Sequence, residues 1–202
     1  MARDGYYFFL PLAVLTIVLA WFQLAILAVL SLVLTVFVAY FFRDPERSIP
    51  QNPDAIVSPA DGRIIRIIPM EAVTQVSIFL SVLDVHVNRA PVDGILTRKE
   101  HRPGSFHLAW DDRASLENER AILTVSGDRS LTFILVAGVL ARRIRVWREE
   151  GEAVTKGDRI GLIRFGSRVD VLVPRGCKLL VSKGDRVYGG NSILALWNLT
   201  SR

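Results

Sequence analysis

The chain of 202 residues contains a single cysteine, Cys177, and only three histidines. One cysteine cannot form an intramolecular disulfide, so the sequence fits a reducing compartment. The three histidines lack the spacing of a metal site, and no metal is predicted. A nucleotide-binding loop is missing as well, because Gly189-Gly190-Asn191-Ser192 lacks the Lys-Ser/Thr ending of a phosphate-binding loop.

Charged residues are absent from one long stretch near the start of the chain, between Tyr6 and Phe42. A helix crosses the roughly 30 Å hydrocarbon layer of a bilayer with about 20 residues, so this stretch is too long for one span and just enough for two short ones. We therefore expect an N-terminal transmembrane helical hairpin within residues 1–42, with helices in 7–22 and 25–42. A single tilted helix, or a hairpin that enters only one leaflet, is the alternative.

Positive charge flanks this apolar stretch and dominates the rest of the chain. Arg3 precedes the stretch and Arg43 and Arg47 follow it, which favours a hairpin with both ends in the cytoplasm. The formal net charge of +5 belongs to residues 43–202, because Arg3 and Asp4 cancel. Basic residues beside anionic lipid gain on the order of 1 kcal/mol each. We expect residues 43–202 to lie on the cytoplasmic face of the inner or plasma membrane.

Anionic phospholipid is thus the expected partner of the basic domain. Nucleic acid is not expected, because the basic stretches of this bilayer-inserted chain lack interleaved aromatic residues.

Beyond residue 42 the pattern changes to short runs of Val, Ile and Leu separated by Gly, Pro, Asp and Asn. This pattern is typical of strands joined by turns. Ser126-Gly127-Asp128-Arg129 predicts a hairpin turn. The predicted strands are Ala55–Val57, Arg63–Ile68, Gln75–Leu80, Gly94–Glu100, Ala121–Val125, Leu131–Val136, Arg142–Trp147, Arg159–Phe165, Val169–Val173, Lys178–Val181 and Ser192–Trp197.

A short internal repeat adds to this prediction. Thr155-Lys156-Gly157-Asp158-Arg159 returns as Ser182-Lys183-Gly184-Asp185-Arg186, which predicts two similar β-turn-β units. The spacing is similar to that of the flattened β-sandwich in lipoyl and biotinyl carrier domains. The expected fold class is therefore mainly β, a flattened β-sandwich or barrel-sandwich-like domain that follows the helical hairpin.

Several motifs with polar residues follow one another along the domain. In chain order they are Phe42–Arg47 (FRDPER), Ser58–Gly62 (SPADG), Asp84–Pro91 (DVHVNRAP), Arg102–Phe106 (RPGSF), Glu117–Arg120 (ENER), Ala141–Ile144 (ARRI) and Gly161–Val171 (GLIRFGSRVDV). Together they resemble the short phosphatidylserine decarboxylases of many bacteria and archaea, which are pyruvoyl-dependent proenzymes. The resemblance covers nearly the whole chain.

The resemblance implies that the chain cuts itself at Gly166-Ser167. Attack of the Ser167 hydroxyl on the Gly166 carbonyl carbon would turn the peptide into an ester, and β-elimination and hydrolysis would leave a pyruvoyl group. Gly166 has no Cβ, which permits the bent backbone that this attack needs. The products would be a large chain, 1–166, and a small chain, 167–202, that remain together as a heterodimer.

The resemblance also implies the reaction. The pyruvoyl ketone derived from Ser167 would form a Schiff base with the amino group of phosphatidylserine and accept the electrons released as CO2 leaves, yielding phosphatidylethanolamine. No metal or nucleotide cofactor is expected. Decarboxylation of the ether lipid archaetidylserine is one alternative. A non-catalytic, membrane-tethered adaptor built on the carrier-domain sandwich is another, and a serine protease with an intact Ser167 is the third.

Two further residues match the family's catalytic positions. His86 matches the histidine linked to decarboxylation, whereas the second histidine of longer relatives is replaced by Arg89, which leaves the base for self-cleavage open. Asp61 matches the relay aspartate, although Asp-Gly is also a common turn pair.

Three arginines are the expected substrate-binding residues. Arg43 and Arg47 lie beside the apolar stretch, and Arg143 belongs to a basic strand. An arginine is suited to two-point contact with a lipid phosphate.

Overall fold

The computed structural model shows a chain that divides into two compact units, Met1–Glu46 and Arg47–Arg202. The division lies close to the expected boundary after residue 42. The residues that the structure describes are 1–104, 118–138, 144–164 and 167–198.

The first unit is a helical hairpin. Helix α1 spans Arg3–Trp21 and helix α2 spans Ala25–Phe41. Gln23, in the turn between them, has a positive φ of 58°. At the other end of the hairpin, the Ala2 N–H donates a hydrogen bond to the Phe42 carbonyl oxygen at 2.7 Å. The predicted hairpin and the position of its turn are confirmed.

Hydroxyl groups join the two helices, and apolar side chains cover their outer surface. Thr16 Oγ1 lies 2.8 Å from Ser31 Oγ. Helix α1, with 19 residues, is long and apolar enough to cross a membrane, whereas α2 has 17 residues. Large exposed apolar patches mark surfaces that meet another apolar phase, so the first unit indicates membrane association. Side chains that are more than half exposed include Leu10, Ile17, Ile26 and Val33.

The second unit is mainly β, as predicted. Its strands in the described ranges are β1 (Ala55–Val57), β2 (Gly62–Pro69), β3 (Val73–Leu80), β4 (Val87–Arg89), β5 (Gly94–Arg102), β6 (Arg120–Ser126), β7 (Ser130–Ala137), β8 (Ile144–Val146), β9 (Ala153–Val154), β10 (Arg159–Ile163), β11 (Ser167–Pro174), β12 (Lys178–Leu179), β13 (Arg186–Val187) and β14 (Ile193–Leu196). Every predicted strand has a counterpart, and the predicted hairpin turn joins β6 to β7. Strands β4, β9 and β13, of two or three residues each, were not predicted.

Eight of these strands form one curled antiparallel sheet in the order β13-β2-β3-β11-β7-β6-β5-β9. Two three-stranded sheets have the orders β1-β14-β12 and β4-β10-β8. One hydrophobic core joins the sheets: Leu135 and Val169 of the large sheet belong to the same cluster as Ile160 and Ile163 of β10. The sheets therefore pack face to face, as expected for a sandwich.

The two copies of the internal repeat adopt the same turn. The Thr155 N–H donates to Asp158 Oδ2 at 3.0 Å, and the Ser182 N–H donates to Asp185 Oδ2 at 2.7 Å. In both copies the glycine before the aspartate is left-handed, with φ values of 88° and 100°. Because glycine has no Cβ, it adopts this conformation without strain. The predicted pair of similar β-turn-β units is confirmed.

The single cysteine, Cys177, is half-buried in the turn before β12. Burial raises the pKa of its thiol, against the opposing effect of the Arg129 charge. Because only the thiolate reacts, we predict that iodoacetamide labels Cys177 more slowly in the folded protein than in urea, with a rate that increases as the pH rises towards the thiol's pKa. Mass spectrometry of the labelled protein measures both rates, and equal rates would contradict the prediction.

Candidate active site

Ser167 is the first residue of β11, in the middle of the eight-stranded sheet. It pairs with Leu80 of β3 on one side and with Ala137 of β7 on the other. Both partners belong to the hydrophobic core, and directly paired residues share a face of the sheet, so the Ser167 side chain also points into the core. It is fully buried, and its Oγ has no hydrogen-bond partner in the described structure. Buried hydroxyls are normally hydrogen-bonded, so this one indicates a functional role.

His86 lies just before β4 and extends its pairing with β10. The Ile163 N–H of β10 donates to the His86 carbonyl oxygen at 3.3 Å. The imidazole is fully buried, with Nδ1 2.8 Å from the Asp84 carbonyl oxygen. A carbonyl oxygen only accepts hydrogen bonds, so Nδ1 carries the hydrogen and the neutral ring has its lone pair on Nε2. His86 is therefore in the tautomer that a general base requires at Nε2.

Chain connections bring Ser167 and His86 to the same end of the second unit. Strand β3 ends at Leu80, beside Ser167, and the loop that follows leads to His86. Strand β10 passes His86 and ends at Ile163, shortly before β11 begins at Ser167. The serine and the histidine are far apart in sequence, but the chain connections place both at this end of the unit.

Asp61 and Arg47, for which the sequence predicted different roles, form one ion pair. Arg47 Nη2 lies 3.0 and 2.8 Å from the two carboxylate oxygens, and the Gly189 N–H donates to Oδ1 at 2.8 Å. Strand β3 separates β2, which follows Asp61, from β11. Neighbouring strands are about 4.8 Å apart, so β2 and β11 are separated by about 10 Å. The structure does not bring the Asp61 carboxylate into contact with Ser167.

Asp84 organises the loop that carries His86. Its Oδ2 accepts hydrogen bonds from the Ser81 N–H at 2.8 Å and the Ser81 hydroxyl at 2.7 Å, and its Oδ1 forms an ion pair with Arg186. Its carbonyl oxygen accepts from the imidazole, as described above. Asp84 therefore acts on His86 through the backbone.

The other predicted residues make contacts of their own or lie outside the described residues. Arg89 Nη1 donates to the Gly157 carbonyl oxygen at 2.9 Å, and an arginine stays protonated, so it is unsuited as a base. Arg43, in the first unit, stacks on the Tyr40 ring at 3.8 Å. Arg143 and Gly166 lie outside the described residues.

Comparison with known proteins supplies the family. The family model for phosphatidylserine decarboxylase matches residues 34–195. The chain belongs to the phosphatidylserine decarboxylase family. The resemblance seen in the sequence is thereby confirmed, and with it the enzyme class, a carboxy-lyase.

Several curated relatives are named phosphatidylserine decarboxylase proenzyme. The protein of Desulfotalea psychrophila is 43% identical over 204 residues, which cover 96% of this chain and 95% of the relative. That of Symbiobacterium thermophilum is 44% identical over 206 residues, with coverage of 96% and 94%. That of Burkholderia multivorans is 46% identical over 171 residues, with coverage of 80% and 79%.

A buried ion pair, which sequence reasoning missed, lies next to Ser167 in this phosphatidylserine decarboxylase fold. Arg168 Nε is 3.0 Å from Asp170 Oδ1, and Arg168 Nη2 donates to Asp170 Oδ2 at 3.2 Å. Arg168 is fully buried, and Asp170 is only 2% exposed. Side chains alternate along a strand, so this pair lies on the face of β11 opposite Ser167. The pair secures the beginning of the strand whose first residue is Ser167.

Asn88 is a second residue that sequence reasoning missed. It pairs with Gly161, which also pairs with Val146, and Val146 packs against the hydrophobic core. The Asn88 side chain therefore faces the core, as Ser167 does. It is fully buried, and neither amide atom has a hydrogen-bond partner in the described part of the decarboxylase. Its spacing of two residues from His86 was the available signal, because such residues share a face of an extended segment.

Proposed function

We propose that the chain cuts itself between Gly166 and Ser167 and then, through the pyruvoyl group formed from Ser167, converts phosphatidylserine to phosphatidylethanolamine and CO2. The observation that carries this proposal is the Ser167 hydroxyl, which is buried on the core face and has no partner among the described residues. The word proenzyme in the names of the relatives supports a processing step.

The first stage uses the chain's own atoms. The Ser167 oxygen bonds to the Gly166 carbonyl carbon as the peptide C–N bond breaks, which gives an ester. Removal of the α-hydrogen of residue 167 then breaks its Cβ–O bond and releases the Gly166 carboxylate. Water hydrolyses the remaining dehydroalanine with loss of ammonia, which leaves the pyruvoyl group. His86 Nε2 accepts the proton from the hydroxyl, because Arg89 cannot.

In the second stage the pyruvoyl group supplies an electron sink for breaking a carbon–carbon bond. The residues of the chain hold the pyruvoyl group in position and supply a proton. Residue 167 lies between the core residues Leu80 and Ala137, so the paired strands on both sides hold it in a fixed position. Protonated at Nε2, His86 returns the proton that replaces CO2 on the substrate carbon.

The two chains of the mature enzyme stay together because the small chain begins in the middle of a sheet. Strand β11, at the start of the small chain, pairs along its length with β3 and also with β7, and both belong to the large chain. A central strand held on both sides cannot dissociate without breaking two ladders of hydrogen bonds.

The catalytic unit is proposed to act on the cytoplasmic face of the cell membrane. Both ends of the helical hairpin meet through the Ala2–Phe42 hydrogen bond, so a membrane-spanning hairpin would place its two ends on the same side. Arg43 and Arg47 follow the hairpin, and such charges favour the cytoplasmic side.

Electrophoresis and intact-mass measurement of the purified protein test the function. We expect two chains, residues 1–166 and 167–202, with a pyruvoyl group in place of the amino terminus of the smaller chain. Hydroxylamine, or borohydride added with substrate, should inactivate the enzyme. An intact chain of 22.6 kDa with full decarboxylase activity would refute the proposal.

Replacement of His86 tests its proposed roles in self-cleavage and in decarboxylation. We predict that His86→Ala accumulates as uncut precursor, and that any cut fraction decarboxylates about 100- to 10,000-fold more slowly, because the proton carrier is lost. His101→Ala is the matched control, because that side chain is half-exposed and pairs with Glu119. Mass spectrometry and CO2 release measure both stages, and normal cutting with normal activity of His86→Ala would dismiss the assignment.

Asp61→Ala decides the role of the relay aspartate. Uncut precursor would show that the carboxylate serves self-cleavage, and a cut but inactive protein would show that it serves decarboxylation. Its ion pair with Arg47 favours a third result, normal cutting and activity with lower stability. The same two assays, with thermal unfolding, distinguish these results.

A further inference from the structure

Asn88 differs from an ordinary buried asparagine. A side-chain amide has two donor hydrogens and an acceptor oxygen, and buried amides normally find partners for them. Asn118 is an example, since it is 1% exposed and its Nδ2 donates to the Ala137 carbonyl oxygen at 2.7 Å. Asn88 is fully buried, yet within the described residues neither its Oδ1 nor its Nδ2 has a partner. Such a group destabilises the folded chain unless a ligand completes its hydrogen bonds.

Asn88 lies on the same interior side as the reacting residue. The β4-β10-β8 sheet presents Asn88 to the core through its pairing with Gly161 and Val146, and the large sheet presents Ser167 to the same core. His86 lies two residues before Asn88 and continues the same ladder, which places both side chains on one face. Gly161, which pairs with Asn88, has no side chain, and a Cβ at that position would clash with the Arg145 carbonyl oxygen.

The chemistry of the head group indicates what Asn88 would bind. The substrate differs from the product by one carboxylate, which accepts hydrogen bonds. A guanidinium beside that carboxylate would stabilise its charge and oppose the loss of CO2, whereas a neutral amide holds it more weakly. Arg89 and Arg168 both lie on faces turned away from Asn88 and Ser167, because side chains alternate along β4 and β11.

We propose that the Asn88 amide nitrogen binds the carboxylate of the serine head group and thereby orients it for decarboxylation. The inference rests on the function proposed above. It explains why a polar side chain without partners is kept in the core. It also assists release of the product, which has no carboxylate for the amide to hold.

The test is Asn88→Leu in the full-length enzyme, assayed with phosphatidylserine in mixed detergent micelles. We expect normal self-cleavage and a Tm equal to or above that of the unaltered protein, because leucine removes unpartnered polar atoms at similar volume. The KM for phosphatidylserine should rise about 10- to 100-fold, the range for a hydrogen bond to a charged group. Inhibition by added phosphatidylethanolamine should stay unchanged, because the product lacks the carboxylate.

Asn118→Leu is the control for stability. Its Tm should fall, because the Ala137 carbonyl oxygen loses a donor in the core. A similar fall for Asn88→Leu would show that Asn88 binds only a buried water, and would overturn the inference. An unchanged KM would overturn it too, as would equal weakening of substrate and product binding. If the unaltered protein were neither cut nor active, the proposed function itself would fail, and the inference with it.

Discussion

Ser167→Ala should leave the protein as a single chain of 22.6 kDa without measurable decarboxylase activity. The methyl group cannot attack the preceding carbonyl, so neither the ester nor the pyruvoyl group forms. Alanine removes only a buried hydroxyl that has no hydrogen-bond partner in the described structure, so the fold should be unaffected. Denaturing electrophoresis, intact mass and CO2 release from phosphatidylserine measure the outcome.

Ser130→Ala is the matched control for this change. Ser130 is exposed at the start of β7, and its Oγ lies 3.0 Å from Ser126 Oγ, at the end of β6. Its replacement should give two chains and full activity. If Ser167→Ala were still cut at the same bond, or still active, the self-cleavage proposal would have to be abandoned.

Asp170→Ala should lower the free energy of unfolding by about 3–5 kcal/mol, because it leaves the fully buried Arg168 guanidinium without its carboxylate. Domains of ordinary size are stable by about 5–15 kcal/mol, so this loss is a large fraction of the total stability. Ser167 begins the same strand, so self-cleavage should slow as well. Thermal unfolding in detergent and the yield of cut protein measure both effects.

An exposed ion pair supplies the contrast. Lys99 Nζ lies 2.7 Å from Glu149 Oε1, and the Glu149 side chain is 71% exposed. Glu149→Ala should cost only about 0–1 kcal/mol, because water screens the pair. The double variant Arg168→Met with Asp170→Leu should recover most of the stability, since it removes both charges of the pair together. Equal effects of Asp170→Ala and Glu149→Ala would refute the role assigned to the buried pair.

Much of the fold follows from local patterns along the chain. The uncharged stretch up to Phe42 predicts the helical hairpin, and the runs of β-branched residues predict strands that the structure contains. The two copies of the repeat predict two similar turns. In each copy the aspartate, Asp158 or Asp185, accepts a hydrogen bond from a backbone N–H of the same copy. Interactions of this kind join near neighbours, so the sequence contains enough information to reveal them.

Only part of the candidate site can be predicted from the sequence. Ser167 and His86 lie in motifs, and residue type alone indicates their chemistry. The sequence does not reveal that the Asp61 carboxylate pairs with Arg47, nor that Asn88 faces the core without a partner. A side chain's face and partners depend on the strand that lies beside it, and that strand can come from any part of the chain.

The sequence by itself therefore determined the family, the mainly β class, the helical hairpin and the serine and histidine on which the proposed chemistry depends. Only the tertiary structure decided which charges are buried together and which buried polar groups have no partner among the described residues. The physical reason is that residue type and local periodicity are properties of short segments. Burial and pairing, by contrast, arise only when strands that are distant in the chain, such as β3 and β11, are aligned in register.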